Sequence, residues 1–397
     1  MSKWHCARGI ASAMLSALLA VQAGAAETGA APGAERVAEQ ETSQQAQDTP
    51  VRIGGALRFN VVHRNFDDIS RGKRGETGLD LLRLNIEGEL DNVLIAAEYR
   101  FYSYMQTLRY GWIGYAFEDD SEVHVGVAQV PFGLQPFDAN NSWFGVPYYV
   151  GLADNYDMGV RYQRQDGPWL THLAFFKNEE FNDPTDLDRY AFDLVVDDDP
   201  DGLGRNEEID RLNARLAHVF GQGGFCETEV GVSGQYASLY NRDTRRRGEH
   251  WAAAAHVDAR CGRWALQVQG IHYDYAPANR AGVSRDTVRL GAFGASYDIA
   301  ARADILTTNV AYNVDPPVEW MDQLICYNDY SRLFKRLDGA RDSQINTIGC
   351  GIGSGPLFTY VDYIFANNMA FFGDGSMADG GSDRWRGRLN INIGFYW

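Results

Sequence analysis

The chain has 397 residues, with 36 Lys+Arg against 53 Asp+Glu and a net charge of −17. That acidity argues against a nucleic-acid partner, whose phosphates call for a basic surface. Aromatic residues reach 13%, with 21 Tyr and 20 Phe, unlike a disordered chain. No segment beyond the first leader has the run of about 18 apolar residues that a spanning helix needs.

Residues 1–26 read as a secretory signal peptide. Lys3 and Arg8 supply the charged start, Ile10 to Val21 the apolar stretch, and Ala23-Gly24-Ala25-Ala26 the small residues for cleavage. Cleavage there removes two basic residues and no acids, leaving 34 − 53 = −19. Residues 27–50, rich in Ala, Gln, Glu and Thr, read as a flexible periplasmic leader, with a short helix as the alternative.

From Val51 onward the dominant period is two. Leu82, Leu84 and Ile86 alternate with Arg83, Asn85 and Glu87, and Leu389, Ile391, Ile393 and Phe395 alternate with Arg388, Asn390, Asn392 and Gly394. Successive strand side chains point to opposite faces, so each segment has one apolar and one polar face. Strands are predicted near 51–63, 79–90, 93–104, 109–117, 122–130, 157–165, 168–177 and 209–220. They continue near 226–238, 249–260, 263–274, 286–297, 302–312, 343–352, 357–366 and 383–397.

Short turns (Asp91-Asn92, 118–121, Asp166-Gly167, 221–225, Cys261-Gly262, 298–301 and 353–356) alternate with long connections such as 131–156, 178–208 and 313–342. That alternation is the signature of an outer-membrane barrel, with tight turns at one end and large loops at the other. The predicted fold class is therefore an all-β transmembrane antiparallel β-barrel of roughly sixteen strands. Only a closed sheet pairs every backbone N–H and C=O in hydrocarbon. Leu84, Tyr99, Leu216, Trp251, Val268 and Ile391 would meet lipid. Trp112, Trp169, Trp251, Trp264 and Trp385 lie near strand ends, where aromatic girdles belong.

Cys226 opens one predicted strand and Cys261 closes the next, so the two are neighbours at the short-turn end and suited to a disulfide. Cys326 falls in a predicted loop and Cys350 within a strand; they meet only if that loop folds inward.

Gly126-Val127-Ala128-Gln129-Val130-Pro131-Phe132-Gly133-Leu134 resembles a strand-to-loop segment of the phosphate-selective porin O and P family. Asn155-Tyr156-Asp157-Met158-Gly159-Val160 is similar to the family's next strand entry, and 388–397 to its closing strand. The resemblance covers roughly 51–397. It implies a homotrimer of sixteen-stranded barrels in the Gram-negative outer membrane, with the loop after Pro131-Phe132-Gly133 bent into each channel. The family's phosphate channels carry a lysine where this chain has Gln129, so phosphate specificity is not carried over.

Arg58, Arg83, Arg100, Arg161, Arg211, Arg215, Arg289, Arg384, Arg386 and Arg388, with Glu87, Glu89 and Glu98, alternate onto the polar faces as candidate pore-lining residues. An arginine row would favour anions; the alternative is that these arginines pair with wall carboxylates. In the 131–156 loop, Asp138, Asn140, Asn141 and Trp143, with Gln129 at its entry, are the candidate constriction. A polar, aromatic constriction suits small amphiphilic or sugar-like solutes.

Asp197, Asp199, Asp201, Gly202 and Glu208 fit a calcium-loop spacing, although no amphipathic helices flank them; the alternative is a solvated acidic loop. No other cofactor is called for. Arg245-Arg246-Arg247 would reach lipopolysaccharide phosphates or form a solvated turn.

The expected function is a water-filled channel for passive diffusion of small hydrophilic solutes across the outer membrane. Two competing readings are a barrel lipase or protease and a soluble exported β-sheet binding protein. The first lacks a serine beside a base in a motif, and the second needs the apolar faces to meet in a core.

Overall fold

The structure, a computed structural model, describes residues 50–397. The predicted signal peptide and leader fall outside these residues, apart from Pro50. Sixteen antiparallel strands close into one barrel. The first seven are β1 (Val51–Arg64), β2 (Glu76–Leu90), β3 (Val93–Tyr102), β4 (Gln106–Ala116), β5 (Ser121–Gln129), β6 (Tyr156–Asp166) and β7 (Trp169–Glu179). After the two-residue β8 (Asp193–Leu194) come β9 (Asn206–Phe220), β10 (Cys226–Asn241), β11 (Arg247–Cys261) and β12 (Trp264–Ala276). Then follow β13 (Thr287–Ala292), β14 (Ala295–Ala300), β15 (Arg302–Val314), β16 (Gln323–Lys335), β17 (Ser343–Ser354), β18 (Leu357–Asn367) and β19 (Arg386–Tyr396).

The cylinder is sealed by β1 against β19, where Phe59 lies opposite Ile393 and Asn60 opposite Asn392. Gly55 N donates to Trp397 O at 3.1 Å and Trp397 N to Gly55 O at 3.2 Å. No backbone edge is left for hydrocarbon to solvate, which is the condition for a sheet to cross a bilayer.

The period of two resolves into an outside and an inside. Leu84, Tyr99, Leu216 and Trp251 are exposed on the outer surface, while Arg83, Arg100, Arg215 and His250, one position away, are buried inside. Apolar residues therefore face outward and polar ones inward, the reverse of a soluble sandwich. Exposed Phe117, Trp169, Phe220, Phe225, Trp264 and Trp397 gather at the short-turn end. Trp112 does not join such a girdle: it turns inward and stacks on His124 with ring centroids 3.8 Å apart.

Two predicted elements are corrected. The segment 286–297 is not a wall strand but most of the β13–β14 hairpin, which joins β8 in a separate three-stranded sheet. Every residue of β13 is buried, so both of its faces are packed, and Arg289 lies in this sheet rather than in the barrel wall. Conversely, 313–342 contains the wall strand β16. Its outward residues include Asn328, Tyr330 and Arg332, and its inward ones Ile325, Tyr327 and Leu333. No apolar outer face marked it in the sequence. One strand lost and one gained leave the count at sixteen.

The same correction settles the cysteines. Cys226 and Cys261 stand opposite each other on β10 and β11 and are bonded, with Cα atoms 4.0 Å apart. Cys326 is in β16, directly opposite Cys350 of β17, and those two are also bonded. No inward folding of a loop is required.

Candidate functional site: the lumen and its inward loop

Between β5 and β6 the chain makes the 130–155 loop, which contains the short helix α1 (Val146–Tyr149). Phe137, Asp138, Asn141 and Val150 within it are buried. The loop lies inside the barrel and is bonded to the opposite wall. Gly133 N donates to Ser233 Oγ at 2.8 Å, Leu134 N to Gln269 Oε1 at 2.6 Å, and Arg215 Nε to Gly133 O at 2.8 Å. Gly133 has φ +59°, and a Cβ there would sit 2.2 Å from Gln269 Oε1. This left-handed, close-packed turn is the physical reason for glycine in the Pro131-Phe132-Gly133 motif.

Farther along, Asp329 of β16 receives the loop in a cradle. Its carboxylate accepts Asn140 N at 2.7 Å, Asn140 Nδ2 at 2.7 Å, Asn141 N at 3.0 Å and Asn141 Nδ2 at 2.8 Å. Ser142 Oγ donates to Asp362 Oδ2 of β18 at 2.6 Å, and Val146 N to Ser331 Oγ at 2.8 Å. Four charge-assisted bonds to one carboxylate make Asp329 the strongest of these tethers. Asn140 and Asn141 thus hold the loop rather than line open space. Gln129 also acts internally: its Nε2 donates to Pro136 O at 2.9 Å. Asp138 is enclosed with neither carboxylate oxygen hydrogen-bonded, and burial, aided by the charges of Asp154 and Asp329, pushes its pKa up to about 7.

The arginines divide into paired and uncompensated groups. Glu98 Oε1 takes Arg100 Nε at 2.8 Å and Arg109 Nη1 at 3.5 Å, and its Oε2 lies 3.6 Å from Arg83 Nη1. Asp154 takes Arg109 Nη2 at 2.7 Å and Asp80 takes Arg58 Nη2 at 2.7 Å. Arg211 sits among Asp157, Glu208 and Asp193, and Arg215 pairs with Glu229. Arg161 and Arg388 are different. Both are buried inside the barrel and neither makes an ion pair among the described residues; Nε and Nη2 of Arg161 and Nε of Arg388 have no hydrogen-bond partner.

Four predicted pore residues lie at the ends of the barrel. Glu87, on the inward face of β2, pairs with Arg52 at 3.5 Å near the short-turn end, and Glu89 beyond it is exposed. Arg386 reaches Asp374 in the last loop, and Arg384 is exposed in that loop.

The four calcium-spaced acids do not share one centre. Asp197 Oδ2, Asp199 Oδ2 and Asp201 Oδ2 close on the Arg289 guanidinium at 2.9, 3.2 and 2.6 Å, whereas Glu208 lies on β9 and bonds Arg211 and His250. A side-chain cation occupies the centre of that acidic turn.

Sequence reasoning missed Asp329, Ser331 and Asp362. The first two lie on the strand read as a loop; Asp362 lies on a predicted strand, but without the loop's path nothing singled it out.

A cavity of about 310 Å³ lies open between the loop and the wall made by β19, β1, β2 and β3. Phe144, Tyr148, Tyr149 and Phe371 line it with rings, and Arg58, Asp80 and Arg388, the last stacked on Trp143, line it with charge. A closed, lipid-facing barrel narrowed by an inward loop is the architecture of a diffusion channel.

The sequence profile described as phosphate-selective porin O and P matches residues 52–285, more than half of the chain. The chain belongs to that porin family. No curated protein sequence matches the porin. Its fold is similar to the outer membrane channel DcaP of Acinetobacter baumannii, with TM-score 0.57 and 11% identity over 87% of this chain and 97% of that one. It is also similar to an anion-selective porin from Comamonas acidovorans, with TM-score 0.55 and 11% identity over 87% and 99%. OmpT of Vibrio cholerae, solved in a trimer form, gives TM-score 0.51 and 12% identity over 87% and 99%. Identities this low show a shared fold. The porin is a channel for small solutes.

Proposed function

We propose that the porin is an outer-membrane diffusion channel that prefers anions, reaches its membrane by way of the signal peptide at 1–26, and assembles as a homotrimer. The observation that carries the anion preference is the pair Arg161 and Arg388. Each keeps its positive charge inside the barrel without an ion-pair partner among the described residues, while Arg58, Arg109, Arg211 and Arg215 are neutralised by carboxylates. A permanent guanidinium at a narrow point lowers the barrier for anions and raises it for cations.

The chain's net charge of −17 does not set the sign of this passage, because screening over about 8–10 Å at physiological salt leaves the nearest charges in control. Arg289 takes the place an ion would hold in the acidic turn, which argues against a calcium ion there. Lipopolysaccharide is the expected neighbour of the exposed Arg245-Arg246 tip.

The test is the reversal potential in a planar bilayer under a salt gradient. Anion preference is expected, and Arg388→Gln with Arg161→Gln should reduce the permeability ratio several-fold. Cation preference in the unaltered porin would overturn the reading.

A further inference from the structure

The cavity beside the inward loop combines two features that a plain water-filled passage does not need. The first is a pair of buried donors without acceptors. Arg388, projecting from β19, is 8% exposed. Its guanidinium carbon lies 3.7 Å from the Trp143 ring centroid, and its Nε is unpartnered. Nη2 makes a long contact, 3.5 Å, to Asn390 Oδ1. The Trp143 indole Nε1, in the same cavity wall, is also buried without an acceptor. Buried donors left in this condition are costly, and a single carboxylate offers an acceptor oxygen for each.

The second feature is the wall opposite the polar strip. Phe144 and Tyr148 are stacked with centroids 4.2 Å apart, and Tyr149 and Phe371 stand 6.2 Å apart. All four line the cavity. Flat rings offer faces and edges to another planar ring. The acid lining this cavity, Asp80, is held by Arg58 Nη2 at 2.7 Å and Asn392 Nδ2 at 2.8 Å and makes no ion pair with Arg388. The volume, about 310 Å³, falls at the lower end of small-molecule sites, roughly 300–1,000 Å³.

We propose that this cavity is a binding subsite for single-ring aromatic carboxylates. The carboxylate bonds Arg388 and the Trp143 indole N–H, and the ring lies against Tyr149 and Phe371. The proposal rests on the channel reading and names the solute class that the passage holds most tightly. An aliphatic acid would satisfy the donors and leave the rings unused. A neutral sugar would use the rings and leave Arg388 without an anion.

The test uses the full porin in a planar bilayer carrying chloride current. Benzoate and cyclohexanecarboxylate, equal in charge and similar in size, are added in turn, with glucose as the neutral control. Benzoate should reduce the chloride current at a concentration roughly fivefold lower than cyclohexanecarboxylate, equivalent to ~1 kcal/mol, and glucose should have little effect. Arg388→Gln should abolish the benzoate effect, and Phe371→Leu should bring benzoate to the level of cyclohexanecarboxylate while chloride current persists. Heat-modifiable gel mobility verifies that each variant is folded.

Equal block by the two acids would overturn the aromatic assignment, and block by glucose at the same concentration as benzoate would point to a sugar site instead. Chloride current without any block sinks the subsite alone, whereas no current at all sinks the channel reading.

Discussion

At the scale of single residues, the interior is decided by which charges find partners. Glu98 gathers Arg83, Arg100 and Arg109, and Asp154 takes Arg109 as well. Asp138 finds no partner. Its pKa of about 7 lies well above the ordinary carboxylate range that holds in the unfolded chain. The folded form therefore holds its proton more tightly. The stability of the closed loop is fullest below about pH 4 and is lost as pH rises through 7, where the enclosed carboxyl ionises. Loop-opening events in single-channel records should accordingly be more frequent at pH 8.5 than at pH 5.5. Asp138→Asn should remove that dependence, and an unchanged pH profile in this variant would show that another group controls it.

Sequence could propose Asp138 as a constriction residue because it lies in a long loop after a family-like motif. Its lack of partners depends on how the loop folds against the wall, which no local pattern encodes. Gln129 shows the same limit. Its position matches the family's lysine, but its amide is turned to Pro136 O at 2.9 Å and serves the loop's own turn.

At the scale of elements, legibility followed the outer surface. Strands such as β2, β9 and β19 present apolar residues to the outside and polar ones to the lumen, so period two revealed them. Strand β13 alternates equally well but packs on both faces, and periodicity alone cannot tell a packed strand from a wall strand. Strand β16 is the converse case, a wall strand with polar residues outward. Missing it hid the cradle that fixes the inward loop. Asp329 accepts four hydrogen bonds from Asn140 and Asn141. Asp329→Ala should cost the loop's seat about 2–4 kcal/mol, because it leaves several buried donors unsatisfied. The expected result is a several-fold rise in conductance or in flicker between levels. Asp329→Asn keeps part of the acceptor capacity and should fall between. Wild-type conductance in Asp329→Ala would mean that Ser331, Asp362 and the Gly133 contacts hold the loop without it.

At the scale of the whole molecule, the outer surface is uneven. Around β1 to β3 it is lipid-like, with Ile53, Phe59, Leu79, Leu84, Ile86 and Ile95 exposed. Across β15 to β17 polar residues interrupt exposed Leu306, Val310 and Ile348 at mid-height. Thr308, Tyr330 and Asn346 form one row, and Arg332 and Gln344 the next. Asn328 Nδ2 donates to Asn346 Oδ1 at 2.6 Å, and Tyr330 Oη to Gln344 Oε1 at 2.9 Å. These rows lie between Tyr312, which packs on Trp264 near the short turns, and Phe334 near the loops, so they fall within the hydrocarbon band. Polar groups facing hydrocarbon without full partners cost roughly 1–3 kcal/mol each. A second copy covering this face removes that cost, which makes β15 to β17 the expected contact between protomers of the proposed homotrimer. A photo-crosslinking side chain placed at Asn346 should yield protomer–protomer adducts in outer membranes, while the same group at Ile95 should yield lipid adducts. The double change Asn328→Leu with Asn346→Leu separates the alternatives further. If lipid covered the face, two added leucines would raise the unfolding temperature and leave the oligomer intact. If a protomer covers it, the trimer band on a semi-native gel should weaken, because hydrogen bonds across the interface are lost and the neighbour's polar groups are stranded.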